Sequence, residues 1–188
     1  VTDDDLEGLD PQSSVPKTSS INITPVNDLP IVTAGATLSY IEDGGPKVID
    51  ATIAVSDPDD TDLSTVTITI SSGYTTGDVL TLTTQNGISG SFDSSTGKLT
   101  VSGTASLASY EVALRSITYY STSQDPTKTS NSRSITWKIT DANSENLGAK
   151  ISTSTVSTIT ITALSDAPVF TAGGTLYYTE NGNAAAVD

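Results

Sequence analysis

The chain carries an internal repeat with a period of 138 residues, and this feature constrains its fold more than any other. Residues 1–50 align without a gap with residues 139–188, and 20 of the 50 aligned pairs are identical. A repeat of this length predicts a tandem array of domain-sized units. We expect residues 1–28 to end a preceding unit, residues 29–165 to form one complete unit and residues 166–188 to begin the next. Such arrays build length or a repeated surface, which favours a structural or adhesive protein.

The composition removes most catalytic and nucleic-acid-binding functions. The chain has no cysteine, methionine or histidine, so it lacks disulfides, thiolates, imidazole bases and soft-metal ligands. Its 22 acidic and 8 basic residues give a net charge of −14, which repels phosphates and anionic membrane surfaces. No apolar run reaches the length of a membrane span. We therefore expect a non-enzymatic protein whose natural partners are hard cations, with no nucleic acid bound and no direct membrane insertion.

Hydrophobic alternation indicates an all-β unit. Val66, Ile68 and Ile70 alternate with threonines, as a strand with one buried face requires. Glycine, asparagine and proline turn signals separate the other alternating runs. Strands are predicted at 36–41, 48–55, 63–71, 132–140 and 150–162. Many short strands with these gaps predict an Ig/cadherin-like Greek-key β-sandwich of about seven strands, with a barrel as the lesser alternative.

One segment departs from the strand pattern. Leu107, Tyr110 and Leu114 recur at helical spacing after Ser106, a plausible N-cap, which predicts a short helix near 107–115. Aromatic residues within the strands are expected in the core instead of on a ligand platform. These aromatic residues are Trp137, Tyr119 and Tyr120.

Acidic residues cluster where the predicted strands end. The clusters are Asn27-Asp28, Glu42-Asp43, the run Asp57–Asp62 and Asp141-Ala142-Asn143. Calcium takes six to eight oxygen ligands with flexible geometry, and loop ends rich in carboxylates supply them. The alternative is that Asp57–Asp62 and Asp141–Asn143 are ordinary turn formers.

The expected topology assigns these clusters to two poles, because alternate loops of a sandwich lie at opposite ends. Asp28, Asp57, Asp59 and Asp141 are expected at the N-terminal pole. Glu42 is expected at the opposite pole, near Asp166 and the following unit. Each junction would then receive ligands from two adjacent repeats. The predicted calcium ligands are Asn27, Asp28, Glu42, Asp57, Asp59, Asp141, Asp166 and Glu180.

The junction residues also resemble a known family. Val26-Asn27-Asp28-Leu29-Pro30, Ser165-Asp166-Ala167-Pro168 and Ala54-Val55-Ser56-Asp57-Pro58-Asp59 are similar to the linkers and loops of cadherin-like tandem repeats in giant bacterial surface adhesins, the RTX-adhesin type of extender. The resemblance implies an extracellular or cell-surface location and a calcium-stiffened extender with ligands at Asp28, Glu42, Asp57 and Asp59. The chain departs from cadherins at Leu29 and Pro30, where they carry a further linker ligand, and Asn27 becomes Ser165 at the second junction.

Other functions stay open at this stage. A carbohydrate-binding module would need exposed aromatic residues, and Tyr74, Tyr177 and Tyr178 are the candidates. A glycosidase would need two opposed carboxylates, for which Glu42, Glu111 and Glu145 are available. Segments 15–24 and 169–179 alternate like strands, so they could add to a sheet edge of the central unit or of a neighbouring chain, as in a strand-exchanging extracellular filament.

Overall fold

A computed structural model describes residues 13–144, 146–168, 170–177, 179–184 and 186. Within this range the chain forms eleven strands and one α-helix. In chain order the elements are β1 (Ile31–Thr33), β2 (Thr37–Ile41), β3 (Lys47–Val48), β4 (Ala54–Ser56), β5 (Asp62–Ser72), β6 (Asp78–Thr81), β7 (Ser89–Asp93), β8 (Lys98–Ser106), α1 (Leu107–Arg115), β9 (Thr118–Ser121), β10 (Ser132–Asp141) and β11 (Thr155–Thr162).

Three sheets form a sandwich-like arrangement. The largest has six strands in the order β2-β11-β10-β5-β8-β7, the second has the order β3-β9-β6, and β1 pairs with β4 alone. All pairs are antiparallel except β2 with β11, which are parallel. The expected mostly β, sandwich-like architecture with one short helix is therefore confirmed.

The core lies between the two larger sheets. Alternate residues of β5 point inward, and Val66 and Ile68 are fully buried. Tyr40 of β2 meets Tyr119 of β9 edge to face, with ring centroids 5.0 Å apart. Arg133 of β10 reaches Asp78 of β6, with Nε 2.6 Å from Oδ2, and both side chains are buried. The two sheets are thus joined by apolar packing and by one buried ion pair.

The predicted strand at 48–55 is wrong, because the segment divides into β3 and β4. Asp50 causes the break: its Oδ1 accepts hydrogen bonds from the amide and hydroxyl of Thr52. Its Oδ2 accepts from the amides of Gly35 and Ala36 and from the Ser157 hydroxyl. These bonds hold the pKa of the buried Asp50 carboxyl far below its usual range, although burial opposes them.

The helix lies where the sequence predicts it, from Leu107 to Arg115. Ser106 is the N-cap, and its hydroxyl accepts from the amide of Ser109 at 3.2 Å. The helix buries Tyr110, Ala113 and Leu114 against the core.

Among the aromatic residues expected in the core, Trp137 and Tyr119 are fully buried, while Tyr120 is half-buried and packs against the core. The indole Nε1 of Trp137 donates to the Ser157 hydroxyl at 3.0 Å.

The segment 15–24 does not add to a sheet of its own chain, so that part of the strand-addition prediction is wrong. Residues 14–30 form no strand. Ile21 and Ile23 are each 86% exposed, whereas their repeat counterparts Ile159 and Ile161 are 0% and 3% exposed. The difference arises because β10 and β2 flank only the second copy of this sequence. Exchange with another chain stays a prediction, and Val169 and Tyr178 of the second segment lie outside the described residues.

Candidate metal centre

A two-stranded ribbon brings two acidic stretches to the same end of the molecule. β1 and β4 are antiparallel, and Ile31 at the start of β1 pairs with Ser56 at the end of β4. Asn27-Asp28 precedes β1, and the run beginning at Asp57 follows β4. The two stretches touch, because the Asp28 amide donates to Asp59 Oδ2 at 2.9 Å. We refer to this end, including the Asp141 loop described next, as the N-terminal pole.

A third acidic segment reaches the same pole from β10. Asp141 ends that strand, and the loop after it contacts the aspartate run: the Ser144 amide donates to Asp60 Oδ1 at 3.1 Å, and the Ala142 amide donates to the Asp62 carbonyl at 3.2 Å. One carboxylate oxygen from each of Asp57, Asp60 and Asp141 lies within 4.8 Å of the other two. Asp60 is 2% and Asp141 0% exposed, so the group is largely removed from water.

Several oxygens at this pole have no hydrogen-bond partner although they are buried. They are Asn27 Oδ1, Asp57 Oδ2, Asp59 Oδ1 and Asp60 Oδ2. In the described part of the chain, no lysine or arginine forms an ion pair with these carboxylates. Unpaired buried oxygens and converging like charges are costly. A cation with oxygen ligands at about 2.3–2.6 Å would compensate for both, and the 4.8 Å limit matches two such ligands across one ion.

The two partly exposed aspartates have different electrostatic environments. Burial raises the pKa of the Asp57 carboxyl above its usual range, although the amides of Asp60 and Asp59 donate to its Oδ1. The pKa of Asp59 is lowered, chiefly because the Asp28 amide donates to it. The Asp28 amide therefore favours the ionised form of the Asp59 carboxylate.

The loop between β10 and β11 fixes Asp141 and contacts the segment before β1 that contains Asn27 and Asp28, here called the linker. Asp141 Oδ1 accepts from the Asn143 amide, and its Oδ2 accepts from the Lys150 amide. Asn143 Oδ1 accepts from the Gly148 amide at 2.7 Å, and the Gly148 carbonyl accepts from Asn27 Nδ2 at 2.8 Å. Asn143 and Gly148 both have positive φ values, 55° and 95°, which the tight loop requires. Asn27 thus ties the linker to this loop.

A second, smaller feature lies around Glu42. Glu42 is 2% exposed; its Oε2 accepts from the Leu164 amide at 2.7 Å, and its Oε1 has no partner. Its own amide donates to the Thr162 carbonyl, which ends β11. Asp166 and Glu180 are exposed, and neither belongs to the carboxylate group at the N-terminal pole.

Of the predicted ligands, the structure brings Asn27, Asp28, Asp57, Asp59 and Asp141 to one pole and places Glu42, Asp166 and Glu180 outside that group. Sequence reasoning did not single out Asp60 as a member of the carboxylate group. Its signal lay within the run Asp57–Asp62: because Asp57 Oδ1 accepts from the amides of Asp59 and Asp60, the chain turns there and directs Asp60 inward. The same bonds show that Asp57 is also the turn former considered as the alternative.

The residues considered for other functions have defined surroundings. Tyr74 is half-buried, and its hydroxyl donates to the Ser94 carbonyl. Glu111 Oε1 accepts from the Val55 amide, and Glu111 pairs with Arg115. Tyr177 is exposed, while Tyr178 and Glu145 lie outside the described residues.

Comparison with known proteins gives one partial likeness. No family model matches the chain, and no solved structure matches it. The chain is similar to halomucin of Haloquadratum walsbyi (strain DSM 16790 / HBSQ001), with 32% identity over 108 residues. The match covers 54% of this chain and 1% of halomucin, so the chain spans a very small part of that relative. In the described residues, no helix is long and apolar enough to cross a membrane. Membership of a cadherin-like family stays a prediction.

Proposed function

We propose that the chain is a calcium-stiffened spacer or adhesion repeat of a large extracellular surface protein. Calcium is held at the N-terminal pole by Asp57, Asp60 and Asp141, with Asn27 and Asp59 supplying further oxygens. The observation that carries the proposal is the convergence of three carboxylates within 4.8 Å at a place where buried oxygens lack partners.

Calcium fits the donor set better than other common metals. The ligands are carboxylate and amide oxygens, which hard cations prefer, and the chain has no histidine or cysteine for zinc or copper. Magnesium requires near-octahedral geometry and keeps several waters, whereas calcium accepts irregular sets of six to eight oxygens. Here the donors come from three separate segments with unequal spacing, which favours calcium.

The position of the site supports a mechanical role. Asn27 and Asp28 belong to the segment that joins two repeats, while Asp57, Asp60 and Asp141 belong to the sandwich. An ion bound by both sets fixes the direction in which the linker leaves the unit. Glu42, with its unpartnered Oε1 beside Leu164, would supply the following junction together with Asp166, and Glu180 would serve the junction after that one. The partners are thus adjacent, cadherin-like Greek-key repeats of the same protein.

An extracellular location follows from the same chemistry. Extracellular calcium modules bind with dissociation constants of about 10⁻⁴–10⁻³ M, which suits a site that is filled outside the cell. The absence of cysteine makes the fold independent of redox conditions. The matched segment is 1% of halomucin, which supports a place within a surface protein of great length.

Calorimetric titration with calcium tests the proposal directly. We expect saturable binding by the whole chain and no binding by the variant Asp57→Ala/Asp59→Ala. Asp125→Asn is the control: it removes a charge at an exposed residue outside the pole. Solution scattering on a stretch of two or more units tests the mechanical part, since calcium should increase the maximum dimension. If titrating the wild-type chain with millimolar calcium gives no more than the heat of dilution, the metal site is excluded.

One observation favours a second candidate, a strand-exchanging subunit of an extracellular filament. Val15, Ile21 and Ile23 are exposed at 76%, 86% and 86%. Leaving these apolar side chains in water forgoes the free energy that their burial in a sheet would supply. A concentration-dependent rise in mass by analytical ultracentrifugation, abolished by Ile21→Asp/Ile23→Asp, would support exchange.

A further inference from the structure

Helix α1 covers the outer edge of the strand that delivers the aspartate run. β4 has only three residues and pairs with β1 on one side. On its other side lie Glu111 and Arg115, one helical turn apart, whose side chains form an ion pair with Nη2 3.2 Å from Oε2. A strand this short, with one strand partner, has little intrinsic order.

The two side chains of the ion pair also form hydrogen bonds with the backbone at this edge of β4. The Val55 amide donates to Glu111 Oε1 at 3.1 Å, and Arg115 Nε donates to the Ile53 carbonyl at 2.7 Å. Residues 53 and 55 alternate with those that face β1, so the helix side chains take the place of a missing neighbouring strand. The bond at Val55 lies two residues before Asp57.

The helix is also attached on the far side of the aspartate run. The Leu107 amide, at the first turn of α1, donates to the Thr61 carbonyl at 3.0 Å, and Thr61 directly follows Asp60. The segment from Asp57 to Asp60 is therefore bracketed by bonds to opposite ends of one rigid helix. Asp57 follows β4 of the two-stranded ribbon, whereas Asp141 ends β10 of the six-stranded sheet. The approach of Asp57 to Asp141 therefore depends on where this bracket holds the segment.

We propose that Glu111 and Arg115 are positioning residues for the metal site, acting through β4 and not through contact with the ion. The inference rests on the proposed function, since it assigns these residues a role in calcium affinity. Neither side chain belongs to the carboxylate group within 4.8 Å. Residues that orient metal ligands typically change affinity by about 10–100-fold when they are replaced.

The test compares calcium affinity with stability in chelator for several variants of the whole chain. Glu111→Ala should weaken calcium binding about tenfold or more. Glu111→Gln keeps an oxygen that accepts from the Val55 amide and should restore affinity to within about threefold of the wild type. Val112→Ala is the control, because Val112 is an exposed neighbour on the same helix and no bond to β4 involves it. Alanine favours helix at both positions, so a weaker helix would not explain a loss of affinity.

Calcium dissociation constants come from calorimetry, and stability comes from urea unfolding followed by the fluorescence of Trp137. A purely structural role would lower stability in chelator for Glu111→Ala and leave the dissociation constant unchanged, which would overturn the inference. If Glu111→Ala fails to fold, the calcium affinity of Arg115→Ala decides, because this change removes the bond to the Ile53 carbonyl and leaves the bond to the Val55 amide. Weaker calcium binding by Arg115→Ala supports the inference, and unchanged binding overturns it. A wild-type chain that binds no calcium would overturn the proposed function and this inference together, whereas unchanged affinity in a folded Glu111→Ala would overturn this inference alone.

Discussion

Replacing Asp60 by asparagine should change the stability of the protein in opposite directions with and without calcium. The carboxylate oxygens of Asp57, Asp60 and Asp141 lie within 4.8 Å of one another. At that separation, with an effective dielectric constant of about 20, each charged pair repels by about 3.5 kcal/mol. The Asp60→Asn change removes two of the three pairs and keeps Oδ1 available to the Ser144 amide.

In chelator, the stability that Asp60→Asn gains over the wild type is smaller than the sum of the two repulsions that it removes. Asp57 takes up a proton more readily than usual, because burial raises its pKa, and this relieves part of the repulsion in the wild type. We expect Asp60→Asn to be more stable than the wild type by about 1–2 kcal/mol without calcium. The new amide group can also donate to the two remaining carboxylates.

Calcium should reverse this order. With a dissociation constant of about 0.1 mM, 10 mM calcium stabilises the wild type by about 2.7 kcal/mol. Asp60→Asn loses a charged ligand and should gain less than about 0.5 kcal/mol, so that the wild type becomes the more stable protein. The reversal distinguishes a metal site from a structural hydrogen-bond network, which would be weakened equally under both conditions.

The assay is urea unfolding at constant ionic strength in chelator and in 10 mM calcium. Trp137 is the single tryptophan and is fully buried, so its fluorescence reports global unfolding. Asp125→Asn, with the same change in net charge, should respond to calcium as the wild type does. The reasoning is refuted if Asp60→Asn is the less stable protein in chelator and if calcium then stabilises it and the wild type equally.

Three further outcomes are expected. Arg133→Met leaves the buried Asp78 carboxylate without its cation and should cost about 3–5 kcal/mol, while adding Asp78→Leu should recover most of that loss in a urea-unfolding double-mutant cycle. Burial raises the pKa of Tyr110 to about 12; because the unfolded state ionises first, near pH 10, stability should fall between pH 10 and 12, and Tyr110→Phe should flatten that fall in unfolding curves measured across this range. Asn27→Ser removes the amide that donates to the Gly148 carbonyl and should weaken calcium binding and speed amide exchange in the loop around Gly148, as measured by calorimetry and hydrogen exchange. An unchanged exchange rate there would contradict the role assigned to Asn27.

The sequence predicted the helix and the strands β2, β5 and β10 to within one residue at each end, whereas the strand expected at 150–162 begins at Thr155. It failed at 48–55, where the apolar alternation continues through Asp50. The donors that break the strand at Asp50 are the amides of Gly35 and Ala36 and the hydroxyl of Ser157, and no local pattern shows that these distant groups meet there. Tertiary hydrogen bonds thus overrode a regular local signal.

The alternation of residues on β10 also indicates which of its charged side chains are buried. On β10, Arg133 has the same parity as Ile135, Trp137 and Ile139, and so does Asp141. A charged residue in phase with a buried apolar face predicts a paired or ligating side chain. Arg133 proves to be paired with Asp78, and Asp141 lies in the carboxylate group. The identity of each partner depends on sheet order, which the sequence does not give.

The arrangement of the pole indicates where the binding energy of an ion would act. Asp60 and Asp141 are close to paired strands: Asp141 ends β10, and β5, which pairs with both β10 and β8, begins two residues after Asp60. Asn27 and Asp28 belong to no strand, and two hydrogen bonds, to the Gly148 carbonyl and to Asp59, attach them to the pole. An ion shared by both sets therefore adds most order to the linker. Loss of calcium should loosen the junction before it unfolds the sandwich, because the core between the two larger sheets is held by its own apolar packing and by the Arg133–Asp78 ion pair. This order of events is what a reversible stiffener of a tandem array requires.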